Sequence, residues 1–197
     1  MRYVNPRMGG IGLALLISAC SNMTAQTDQS AEPAKTVVSS PLAGEIAAAE
    51  RLYQANKVER ARAELQALID ANPKRAEAYR VLAGLELEEA HPETAQNVLE
   101  KALALEPNNP QTLNQLGVAQ RMQGRFSEAE QAYTQALAID PDYAQAHRNL
   151  GILYDLYLGK PGDALNHYQR SQALNGASDA QLDGWIADLK RRTGTQP

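Results

Sequence analysis

Cys20, His91, His147 and His167 carry the sharpest chemistry available to this chain. A single thiol closes no intramolecular disulfide and by itself makes no cysteine-rich metal site. The three histidines do not form a site along the sequence. His91 falls in a turn between two helical patterns, while His147 and His167 fall on different helices. No HExxH, CxxC or phosphate-cradling glycine loop is present, and Gly9, Gly10 and Gly12 belong to an apolar run near the start. The carboxylates are scattered along helical patterns, as solvated faces scatter them. The residues therefore argue for a chain that is not an enzyme and takes no cofactor or metal.

What remains is hydrogen-bonding capacity at a fixed period. Arg80, Asn114 and Arg148 stand 34 residues apart, as do Glu77, Gln111 and Gln145. One helical turn further on, Arg121 and Asp155 keep the same spacing. If each period is one structural unit, stacking turns these positions into a ladder. An Asn amide can both donate to and accept from a peptide backbone, and Arg pairs with carboxylates. Solvated polar residues on an exposed helix face would produce the same spacing.

The elements that would hold such a ladder keep the same period. Pro73, Pro107 and Pro141 are 34 apart, and so are Ala61, Ala95 and Ala129, and Leu65, Leu99 and Tyr133. Leu82, Leu116 and Leu150 follow suit, with Ala83, Gly117 and Gly151 behind them. The clearest unit runs over residues 110–141. Asn109 is placed to cap its first helix, with Pro110 at the first helical position. Leu113, Leu116, Gly117 and Val118 lie on that helix, and Gly124 breaks it. Phe126, Ala129, Tyr133, Ala136 and Leu137 then follow the spacing of one buried helical face. Ser127 and Glu130 read as a capping box at the start of this second helix.

These positions resemble the tetratricopeptide repeat. The resemblance implies an all-α TPR solenoid, a right-handed superhelix of about four helix-turn-helix repeats over residues 42–75, 76–109, 110–143 and 144–176. The first repeat is the most degenerate. The fourth carries one extra residue at its inner turn and stops at Asn175 and Gly176. A capping helix over 177–192 should follow, with Leu182, Trp185, Ile186 and Leu189 as its apolar stripe. The resemblance further implies that the first helix of each repeat lines a concave groove that takes a segment of a partner protein. Arg80, Asn114, Arg148, Gln111, Gln145 and Arg121 would then be the partner-binding residues. Co-chaperones of this family use a clamp of Lys and Asn on successive first helices. Ile46 and Glu50 stand at the first-repeat positions, so that clamp is absent.

The N-terminus points to a location. Residues 1–7 are basic through Arg2 and Arg7, and residues 8–19 form an apolar run of twelve. That is too short to span a bilayer but suits a signal peptide. Ile17, Ser18, Ala19 and Cys20 resemble the lipobox of bacterial lipoproteins. This implies removal of residues 1–19 and lipidation of Cys20, whose several acyl chains would anchor firmly where one is marginal. Ser21 after the cysteine resembles the signal for outer-membrane sorting. Residues 20–40 are the lipidated Cys and a tether too poor in large apolar residues to fold, with a span of about 25 Å. The chain's net charge of −4, less the two positive charges of Arg2 and Arg7, leaves −6. An acidic chain disfavours nucleic acid as a partner.

The expectation is a lipid-anchored scaffold of the bacterial cell envelope, at the outer membrane and facing the periplasm. Its partner is another envelope protein, its contact with the membrane is through the lipid, and it takes no small-molecule substrate. It is similar to TPR lipoproteins that assist pilus or secretin assembly. An adaptor or regulatory subunit of a cell-wall enzyme, or a soluble exported adaptor, is the alternative.

Overall fold

The computed structural model describes residues 41–176 and 179–194, of which it assigns all the regular structure to helices. Four antiparallel pairs follow one another: α1 (Pro41–Gln54) with α2 (Val58–Ala71), α3 (Ala76–Glu88) with α4 (Pro92–Leu105), α5 (Pro110–Met122) with α6 (Phe126–Ile139), and α7 (Ala144–Leu156) with α8 (Pro161–Asn175). A ninth helix, α9 (Ala180–Thr193), packs on α8. Each helix touches the next in sequence. In addition α1 touches α3, α3 touches α5 and α5 touches α7, whereas the second helices of successive pairs do not meet. The first helices are therefore crowded together on the inner side of a curved stack, and α2, α4, α6 and α8 form the outer row.

The inner turns explain the period. Asn56, Ala90, Gly124 and Gly159 all take positive φ, at 58°, 62°, 78° and 63°. In the first three turns the amide after this residue reaches five residues back, from Lys57 to Leu52 at 2.9 Å, His91 to Glu86 at 2.8 Å and Arg125 to Gln120 at 2.8 Å. This is the left-handed helix stop that reverses a chain in few residues. Glycine adopts it without strain. Ala90 holds it at a cost of about 1 kcal/mol, because its Cβ crowds the following carbonyl. In the fourth turn the extra residue is absorbed by a bond from Lys160 to the carbonyl of Tyr154.

Helix starts follow the sequence in part. Asn109 caps α5, accepting from the Thr112 amide at 3.0 Å, with Pro110 next to it. Pro92 likewise opens α4. The capping box expected at Ser127 does not form. The turn delivers the chain into α6 at Phe126, with Arg125 at the cap position and no side-chain cap bond. Ser127 is thus already inside the first helical turn. Glu130 instead accepts from Lys160 Nζ at 2.9 Å, at the start of α8.

Packing within each pair matches volumes across one register. Gly117 faces Tyr133, and Gly151 faces Tyr168. In the earlier pairs Ala83 shares a core with Leu99, and Ala49 with Leu65. The bare glycines admit the two rings, which are 0% and 1% exposed. Alanine stands opposite the smaller leucine. α9 closes the far end with Leu182, Ile186 and Leu189 against Leu165 and Tyr168. Asp179 caps it through the amides of Gln181 and Leu182, and Lys190, Arg191 and Arg192 sit at its negative end.

Candidate functional site

The polar ladder lies on the inner row, but its three rungs are not alike. Arg80 on α3 is partly exposed, with Glu77 as its nearest carboxylate at 3.9 Å. Asn114 on α5 is buried at 5% exposure, its carbonyl accepting from Asn149 Nδ2 at 2.9 Å. Arg148 on α7 is occupied by α9. Nη1 donates to Asp179 at 2.5 Å, Nη2 donates to Gln181 at 2.9 Å, and the guanidinium lies over the Trp185 ring. The expectation of three exposed groups is corrected accordingly. α5 is sandwiched between α3 and α7, which hides Asn114, and the capping helix covers the α7 end. Arg148 and Asn114 serve the fold, and Arg80 faces open space.

The neighbouring positions divide in the same way. Gln111 is exposed. Gln145 is exposed too and accepts from the Tyr143 hydroxyl at 3.0 Å. Arg121 is half-buried, with its Cζ 5.8 Å from the centre of the Tyr157 ring. Its Nε and the hydroxyl of Tyr133 are both buried without a hydrogen-bond partner. Burial pushes the Tyr133 phenol up to about 12, although the nearby guanidinium opposes this. Asp155 pairs with Arg192 of α9 at 2.7 Å. Cys20 lies outside the described residues.

The open part of the inner face is at the other end. A space of about 380 Å³ lies between α1, α3 and α5, walled by Glu50, Tyr53, Arg80, Gly84, Glu88 and Gln115. Of these only Arg80 was picked out by the period. Glu50 and Gly84 do share one 34-residue register, and Gln54 and Glu88 share another. The signal was present in the spacing, but the register does not say which positions face a cavity.

The histidines also depart from the sequence reading. His147 and His167 are 20 residues apart, yet their Nδ1 atoms lie 2.9 Å from each other. Their ring centres are 5.1 Å apart, close to that distance plus the two ring radii, so the nitrogens point at each other. His147 Nε2 faces the Pro141 carbonyl at 3.0 Å and must carry its proton there. Its Nδ1 is then an acceptor, and His167 Nδ1 donates. This is a hydrogen bond between neutral rings, not a pair of lone pairs converging on a metal. Among the described residues no group of three His, Cys, Asp or Glu is placed to hold a metal ion, and no helix is long and apolar enough to cross a membrane.

The pair makes stability pH-dependent. Burial, and then the neighbouring His147, hold the His167 imidazole below its ordinary 6.5, while Asp163 opposes them weakly. The unfolded chain therefore binds more protons than the folded one as pH falls through that range, and stability falls with it. The melting temperature should drop between about pH 7.5 and pH 5.5, and His167→Gln should flatten the dependence. Parallel pH profiles for the two chains would show that the pair does not carry it.

His91 has a different role. Its Nδ1 lies 2.9 Å from Glu86 Oε2, and Arg62 Nε donates to Glu86 Oε1 at 2.6 Å. Burial resists ionisation of Glu86, but these two partners keep its carboxyl below the usual range. The trio ties α2 to α3 and to the turn that follows α3.

Comparison with known proteins agrees with this geometry. Two family models, both described as Tetratricopeptide repeat, match residues 46–90 and 86–151. The type IV pilus assembly protein PilF of Pseudomonas aeruginosa is 30% identical over 124 residues, covering 62% of this chain and 49% of that protein. A solved structure titled for the functional characterisation of the same pilF superposes with a TM-score of 0.69 at 27% identity, covering 77% of this chain and 68% of that one. A thermophilic TPR protein of Thermus thermophilus, at 21% identity and TM-score 0.64, shares the fold. The protein O-mannosyl-transferase TMTC1 of Mus musculus is 31% identical over 119 residues, which are 12% of its length. The chain thus spans about half the length, or much less, of the curated relatives it matches.

Proposed function

The chain belongs to the tetratricopeptide-repeat family, and we propose that it is a non-catalytic protein–protein interaction scaffold held by lipid at Cys20 in the bacterial envelope. It receives an extended segment of another envelope protein on the inner face of α1, α3 and α5. The assembly of a pilus, a secretin or a related envelope complex is the process it serves. The observation that carries this reading is the likeness to PilF, which runs across most of the described array and is joined here to an inner face with open space for a segment. The basic start, the apolar run and Ile17-Ser18-Ala19-Cys20 support the anchor.

Two measurements test the two halves separately. Growth with an alkyne analogue of palmitate should label the wild type and leave Cys20→Ser unlabelled. Equal labelling of both would remove the anchor and leave a soluble exported adaptor. For the scaffold, mild cross-linking and purification from detergent extract should return a pilus or secretin component. Return of a cell-wall enzyme in its place would favour the adaptor alternative.

A further inference from the structure

Resting on that reading, we propose that the space between α1, α3 and α5 is a subsite for one basic side chain, Lys or Arg, of the extended segment. The walls of this space hold two carboxylates against one guanidinium. Glu50 of α1 and Glu88 of α3 are exposed, and neither makes an ion pair among the described residues. Oε1 of Gln115, from α5, is buried with no donor. Tyr53 closes one side. Its hydroxyl donates to Glu89 Oε1 at 3.3 Å, which adds a third carboxylate next to the space. Burial, and then Glu88 and Glu89, keep that phenol protonated. An ammonium or guanidinium brings several donors and no acceptor, which complements this set.

The floor has room for a backbone as well. Gly84 carries no side chain, and a Cβ there would stand 3.2 Å from Gln115 Nε2. The same register is filled by Val118 in α5 and Ile152 in α7. Arg80 borders the same space, partly exposed and only loosely paired with Glu77 at 3.9 Å. It can donate to a carbonyl of the segment while Glu50 and Glu88 take the basic side chain. At the opposite end Arg148 and Arg192 are already held by Asp179 and Asp155. Charge therefore sets both the place and the sign of recognition: two unpaired carboxylates against one guanidinium attract a cation.

Anisotropy of a fluorescein-labelled Ser/Val peptide tests this with the full-length chain. Three versions carry Lys, norleucine or Glu at the centre. The Lys peptide should bind about tenfold tighter than the norleucine peptide, as one charge-assisted contact gives, and the Glu peptide weakest. Raised salt should shrink the difference. In the double variant Glu50→Gln, Glu88→Gln the Lys and norleucine peptides should bind alike, while Glu100→Gln on the outer row should preserve the preference. A Glu peptide that binds as tightly as the Lys peptide, or a preference that survives in the double variant, overturns the subsite but leaves the groove. If none of the three peptides changes anisotropy up to millimolar chain, the groove reading falls with it.

Discussion

Gly117→Leu should lower the melting temperature of the array by about 2–12 °C. An added Cβ would stand 2.5 Å from Cε1 and 2.7 Å from Cδ1 of Tyr133. Non-bonded carbons do not pack that closely, and the ring is fully buried, so the ring or the two helices must shift. Overpacking of this kind costs about 1–3 kcal/mol or more, and for a chain of this size each kcal/mol is about 2–4 °C. α5 also touches α3 and α7, so the loss should spread to the neighbouring pairs.

The volume rule gives a sharper version. Gly117→Ala alone should destabilise by crowding, and Tyr133→Leu alone by leaving a void. Together they recreate the Ala83–Leu99 arrangement of the preceding pair and should partly cancel. Coupling between touching residues is typically about 0.5–3 kcal/mol. Circular dichroism melts of the four chains measure it. A Gly117→Ala melt that overlays the wild type would refute the contact.

The second large effect is at the other end. Leu182→Ala should cost about 2–5 kcal/mol at the α8–α9 contact, since Leu182 is 0% exposed and its removal leaves a void against Tyr168. Trp185 is the only tryptophan. Its ring lies 5.3 Å from that of Tyr168 and beneath the Arg148 guanidinium, so its fluorescence reports on α9 directly. In Leu182→Ala the fluorescence transition should move to lower temperature and precede the loss of helical signal. In a stack of pairs the terminal element has one neighbour and opens first. Arg148→Ala should shift the same transition in the same direction by a smaller amount, because the ion pair it removes is partly exposed. Unchanged fluorescence melts in both would mean that α9 is not held by these contacts.

The sequence by itself determined the class of fold, the period and the positions of the helix pairs. Those properties are local. Apolar residues at helical spacing, Pro at helix starts and a left-handed residue at each inner turn act within one unit, and the 34-residue repeat multiplies each weak signal. Even the volume match was legible, since Gly117 and Gly151 share a register with Ala83, and Tyr133 one with Leu99. The candidate groove was legible only as a row of positions. Ala90 shows one reason, since an alanine does not announce positive φ and is held in it by the helices on either side. The ladder shows the other. Arg80, Asn114 and Arg148 occupy equivalent places in their helices, yet one faces open space, one is covered by Asn149 and one is held by α9. Only the tertiary structure decided which, as it decided that His147 and His167 meet. Exposure at a repeat position depends on what the neighbouring pairs and the closing helix lay over it, and a period contains no information about its own ends.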